Sequence, residues 1–159
     1  MKKIVIICLS WLISALVCFA LASIAHSQFV VAGLVGLGIE ISIADRVAMT
    51  LADMRGLLLG YGSVLGIALG LGFGLVAAGS KWLRPLPEFC YPLAGFIAVA
   101  TALTAMQPLL EVTLIAGARG APGFITQCLA GLVAGWAFKR QACCLLVQQS
   151  ATRDKPVIG

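Results

Sequence analysis

At 159 residues, 61% of them hydrophobic and only 11% charged, the chain holds too much apolar surface for a water-soluble domain, where about 25% of residues are charged. With a mean hydropathy of +1.06, lipid is the solvent for much of it, and the length allows one domain. The net charge of +5 is modest, and the basic residues cluster at the ends of apolar runs, where they orient a membrane protein. That distribution argues against nucleic acid as a partner.

In chain order, residues 4–25 are apolar apart from scattered Ser and Cys and follow Met1-Lys2-Lys3, the pattern of a first transmembrane span entering from a positive side. A cleaved signal peptide competes for this segment, because Ser23-Ile24-Ala25 resembles a small-x-small cleavage site before His26. The apolar stretch is longer than the roughly 7 to 15 residues of such an h-region, which favours a retained span. A second span is predicted over 57–79, a stretch without charge closed by Ser80-Lys81-Trp82-Leu83-Arg84-Pro85-Leu86-Pro87, whose prolines end the helix. A third is predicted over about 91–110. After Gly117-Ala118-Arg119-Gly120 a fourth runs over 121–138, with Pro122 tolerated in its first turn and Lys139-Arg140 as its stop.

The expected fold is therefore all-α: an integral membrane domain of four spans over residues 1–140, with a cytoplasmic tail over 141–159 that frays at its end. Lys2, Lys3, Lys81, Arg84, Lys139, Arg140, Arg153 and Lys155 then share one side, eight of the eleven basic residues, against Arg46, Arg55 and Arg119 on the other. This bias predicts both termini in the cytoplasm of a bacterial-type inner membrane, and Trp82 and Trp136 flank the same boundary.

Between the first two spans lies an outer segment, 26–56. Its apolar part, 29–39, carries three glycines and is expected to be irregular or partly helical. Ser42-Ile43-Ala44-Asp45 predicts a capped helix start. Ile43, Val47, Leu51 and Met54 then recur at helical spacing opposite Arg46, Thr50 and Asp53, predicting an amphipathic helix in the membrane plane.

Residues for chemistry are scarce. His26 is the only histidine, so one chain alone assembles neither a bis-histidine haem site nor a typical metal site, and no cofactor is expected. Six cysteines include no Cys-x-x-Cys pair and none in the outer segment; the adjacent Cys143-Cys144 leaves metal binding or acylation open. Spans two to four lack Asp, Glu, Lys, Arg and His between their boundaries, which counts against ion-coupled transport. Gln107 and Glu111 share a helix face, and Glu111 is placed to reach Arg119 or Arg55, an outer cluster read as a structural ion pair. No Walker A, dinucleotide or Ser-His-Asp pattern is present.

The strongest pattern is a glycine zipper: Gly62, Gly66, Gly70 and Gly74, echoed by Gly123, Gln127, Gly131 and Gly135 and by Ala94, Ala98 and Ala102. Each glycine lowers helix propensity, so a repeated stripe points to helix packing, within the chain or against a partner. Plentiful packing signals and scarce chemistry lead to a non-catalytic subunit or scaffold of a membrane assembly, with the bilayer and other membrane helices as partners. The alternative is a small oligomeric channel or permease for neutral or apolar solutes lined by Thr104, Gln107 and Gln127. A membrane enzyme or cofactor subunit stands third.

The topology is testable with single cysteines in a cysteine-free background. Ser42→Cys and Gly117→Cys should react with an impermeant thiol reagent from outside, and Leu86→Cys and Gln148→Cys only after permeabilisation. Outside labelling at residue 86 would invert the assignment.

Overall fold

A computed structural model describes residues 2–79, 89–110 and 121–153. They form four helices: α1 Lys2–Gly36, α2 Ile43–Gly79, α3 Cys90–Leu110 and α4 Ala121–Arg153. By length and composition α1, α2 and α4 are each able to cross a membrane, and α3 is a shorter apolar helix.

The first departure from expectation is at the top of α1. The helix does not stop near residue 25 but continues through Gly33 to Gly36, although each glycine costs about 1 kcal/mol of helix propensity relative to alanine. The apolar neighbours outweigh that cost, with Val31 almost fully buried. Termination comes at Gly38, whose φ of 83° is the left-handed conformation glycine adopts without a Cβ penalty. Around it Gly38 N–H donates to the Val35 carbonyl (3.0 Å) and Ile39 N–H to the Leu34 carbonyl (3.3 Å), the two bonds of a Schellman stop.

Six residues, 37–42, turn the chain into α2. Ser42 caps it as expected: the Asp45 N–H donates to Ser42 Oγ (3.2 Å), and that hydroxyl donates back to the Asp45 carboxylate (2.7 Å). The second departure follows. α2 runs without a break from Ile43 to Gly79, so the separate in-plane helix predicted over 43–54 is instead the first three turns of one 37-residue helix. Nothing at Arg55-Gly56 interrupts the hydrogen bonding, and a single glycine is too weak a signal to do so. At the other end of the chain α4 extends to Arg153 and takes up most of the expected tail.

The helices pack in cyclic order, α1 on α2, α2 on α3, α3 on α4 and α4 back on α1, with α2 and α4 touching sparingly across the diagonal. Trp11 meets Gly66 and Ser27 meets Asp53, so α1 and α2 are antiparallel; the same holds for Phe73 with Tyr91 and for Gly95 with Gly131. The result is an up-down-up-down bundle. Its core holds Leu65, Leu69, Val99, Leu103, Ala130 and Ala134, and a ring of Phe73, Tyr91 and Phe138 closes one end, with Phe73 and Phe138 stacked at 4.5 Å between centroids. Ile67, Leu71, Leu75, Ile97 and Ile125 face outward, as lipid solvation requires.

The tightest approach is between α3 and α4. A Cβ added at Gly131 would strike the Gly95 carbonyl, one at Gly95 the Gly131 carbonyl, and one at Gly135 the Tyr91 carbonyl. Across α2 and α3, a Cβ on Gly72 would lie 3.1 Å from Ala98 Cβ and 3.2 Å from the Ala94 carbonyl oxygen. Gly131→Ala should therefore force the α3–α4 pair apart at a cost of about 1–3 kcal/mol, lowering the melting temperature in detergent. Gly74→Ala, with nothing within 4 Å of the new methyl, should be neutral or stabilising. Equal melting temperatures for the two variants would contradict this packing.

Candidate functional site

The stripe on α2 receives side chains where a second backbone was expected. A Cβ at Gly62 would lie 3.4 Å from the Phe19 ring, at Gly66 3.6 Å from the Trp11 ring and at Gly70 3.1 Å from Trp11 Nε1, all of α1. The missing side chains uncover the α2 backbone, and the Trp11 indole N–H donates to the Gly66 carbonyl at 3.1 Å. Gly74 has open space beside it and lines a cavity of about 330 Å³ bounded by Trp11, Phe73, Tyr91 and Phe138. Gly131 and Gly135 of α4, by contrast, lie at the backbone crossing with α3.

Deeper inside, three helices meet at one polar contact. The Tyr61 hydroxyl donates to Gln127 Oε1 (2.9 Å), and Gln127 Nε2 donates to the Ala22 carbonyl (2.9 Å). Tyr61 is almost completely buried and Gln127 completely. In an apolar bundle neither has water as an alternative partner, so each fixes the other's position and with it α1, α2 and α4. On α1 the residues beneath are small: Ser10, Ser14, Cys18 and Ala22 form a buried stripe at a spacing of four. Ser14 returns its hydroxyl to the Ser10 carbonyl at 2.8 Å.

Toward the hairpin, Ser27 donates to Asp53 across α1 and α2 at 2.6 Å, a charge-assisted bond beside the buried His26. The expected faces of residues 43–54 are recovered in part and with an unexpected sense, Met54 being half-buried against the core. Arg46, Thr50 and Asp53 are the half-buried side, whereas Ile43, Val47 and Leu51 are 83%, 54% and 52% exposed. Leu37 at the turn is 78% exposed.

Of the predicted outer cluster, Arg55 is exposed on α2, Glu111 and Arg119 lie outside the described residues, and Gln107 is on α3 with its side chain outside them. Of the predicted lining of a solute path, Thr104 is exposed and donates to carbonyls of its own helix and Gln127 is engaged inside the bundle, while the Gln107 side chain lies outside the described residues. All six cysteines are free thiols. Among the described residues no three His, Cys, Asp or Glu converge as a metal-binding group. No family model, curated protein or solved structure matches the chain.

Sequence reasoning missed Trp11, Tyr61, Gly72 and Gly95. The α1 stripe was readable from its period, but pairings such as Tyr61 with Gln127 have no local signature. Tyr61→Phe leaves Gln127 Oε1 buried without a donor and should cost about 0.6 to 2 kcal/mol of stability. Adding Gln127→Leu should cost less than the sum of the two single changes, because the second removes the group the first stranded. Strictly additive losses in thermal unfolding would mean that the two side chains are not coupled.

Proposed function

We propose that the chain is a non-catalytic subunit or scaffold of a membrane assembly, and that it offers its α1–α2 hairpin to the helices of a partner. On this reading all four helices span an inner membrane, with α3, about 31 Å long, matched to a hydrocarbon core of roughly 30 Å. Lys2, Lys3, Lys139 and Arg140 then mark the cytoplasmic boundary and hold both termini inside.

One observation carries the proposal: Ile43, Val47 and Leu51 lie on the outward side of the hairpin. At 1.5 Å per residue α1 and α2 measure about 52 and 56 Å, well beyond the hydrocarbon thickness, so an end of the pair extends past it. An arm standing free in water would turn Arg46, Thr50 and Asp53 outward and bury Ile43, Val47 and Leu51. The opposite arrangement fits an apolar neighbour. Gly62, Gly66 and Gly70 of the α2 stripe are occupied by Phe19 and Trp11 of the same chain, which favours the hairpin as the surface for association. A channel draws less support, because Thr104 and Gln127 face in different directions.

The test is the size of the native assembly in mild detergent. Val47→Asp should release the partner while the single chain keeps its melting temperature, and Thr50→Asp, on the α1-facing side, should instead lower that temperature. An assembly of unchanged size with Val47→Asp and Ile43→Asp combined would refute the proposal.

A further inference from the structure

At the end of the bundle opposite the hairpin, a cleft of about 540 Å³ opens between the start of α3 and α4, walled by Phe89, Pro92 and Trp136, with Lys139 and Arg140 at its rim. Its position follows from the sequence: the apolar run of α4 ends at Phe138, so the two cations sit where hydrocarbon gives way to headgroups. The Arg140 guanidinium carbon lies 5.1 Å from the centroid of the Trp136 ring. That contact holds the guanidinium at the rim.

From the cleft, two apolar faces lead toward the membrane interior. On α3, Phe89, Leu93 and Ile97 follow at intervals of four and are all exposed; on α4, Trp136, Leu132 and Leu129 do the same at intervals of four and three. A phosphate at the rim and a hydrocarbon chain along these faces are the two halves of one kind of molecule. We propose that this cleft binds an anionic phospholipid, its phosphate held by Arg140 and an acyl chain lying past Trp136. A net-negative headgroup is favoured over a zwitterionic one because Arg140 is cationic, and a basic residue near the surface is worth about a fivefold preference. The selectivity belongs to this end of the bundle. At the hairpin end Arg46 lines a cleft shared with Glu40 and Asp45, whose carboxylates offset its charge.

The experiment uses the full chain in phosphatidylcholine vesicles containing, at equal mole fraction, either phosphatidylglycerol or phosphatidylcholine with brominated acyl chains. The Trp136 signal is the difference between the parent protein and Trp136→Phe, which removes the contribution of Trp11 and Trp82. Brominated phosphatidylglycerol should quench Trp136 with an apparent affinity at least about fivefold above that of brominated phosphatidylcholine. Arg140→Gln should bring the ratio close to one, Arg140→Lys should keep most of it, and Arg55→Gln should leave it unchanged. The lysine variant separates loss of charge from loss of fold. Equal quenching by the two lipids in the parent, or an undiminished preference in Arg140→Gln, would overturn the proposal. Displacement of the brominated anionic lipid by millimolar inorganic phosphate would overturn it as well, because the site would then recognise a free anion and not a lipid.

Discussion

The backbone contact of α3 with α4 at Gly95, Gly131 and Gly135 is the constraint on which the bundle depends. In lipid, apolar side chains gain little by leaving one hydrocarbon surface for another, so helices associate through close van der Waals approach and through polar groups that have no alternative partner. Three glycines at one crossing allow carbonyls of one helix to reach the backbone of the other. Once α4 is seated there, Ala130 and Ala134 complete the core, Phe138 stacks on Phe73, and Gln127 faces α1 and α2 at the depth where Tyr61 and the Ala22 carbonyl meet it. The polar contact is thus downstream of the glycine contact, because a looser α3–α4 pair would move Gln127 away from both partners.

Small residues serve two purposes in this molecule. Between α3 and α4 they admit backbone. Between α1 and α2 they admit rings, with Phe19 over Gly62 and Trp11 over Gly66 and Gly70. The second arrangement gains an indole-to-carbonyl hydrogen bond, and it leaves Gly74 without a ring of its own, beside the aromatic cavity. A glycine period therefore defines a face, and the neighbouring helix decides what fills it.

That distinction sets how much was legible. Helix existence followed from apolar run length, and the start of α2 followed from Ser42 and Asp45, because both signals are local. The end of α1 was misread since Gly33, Gly36 and Gly38 weigh equally by propensity, while only Gly38 takes the left-handed conformation that stops the helix. The assumed break near Gly56 failed for the same reason: a change from amphipathic to apolar patterning marks a change of surroundings, not of backbone. Of the candidate packing residues, Gly131 and Gly135 carried their period, whereas Gly95 and Gly72 are single glycines whose importance arises only from what the topology sets opposite them. Tyr61 with Gln127 and Ser27 with Asp53 are long-range pairs, and no spacing rule connects them.

Gln127, Tyr61, Ser27 and Asp53 are bonded within the bundle, and this bears on where function resides. A solute conduit needs hydrogen-bonding groups turned toward a shared lumen, yet Gln127 has both its donor and its acceptor engaged by the bundle and Ser27 is bonded to Asp53. Opening a path past them would break contacts that the bilayer does not replace. The sole histidine is buried beside that Ser27–Asp53 pair. What is left for recognition is the perimeter, and its ends differ in kind: a capped hairpin with its apolar side outward, and a cleft rimmed by two cations. A bundle held together by glycine contacts keeps those ends at a fixed separation, which is what the proposed engagement of a protein at one end and lipid at the other requires.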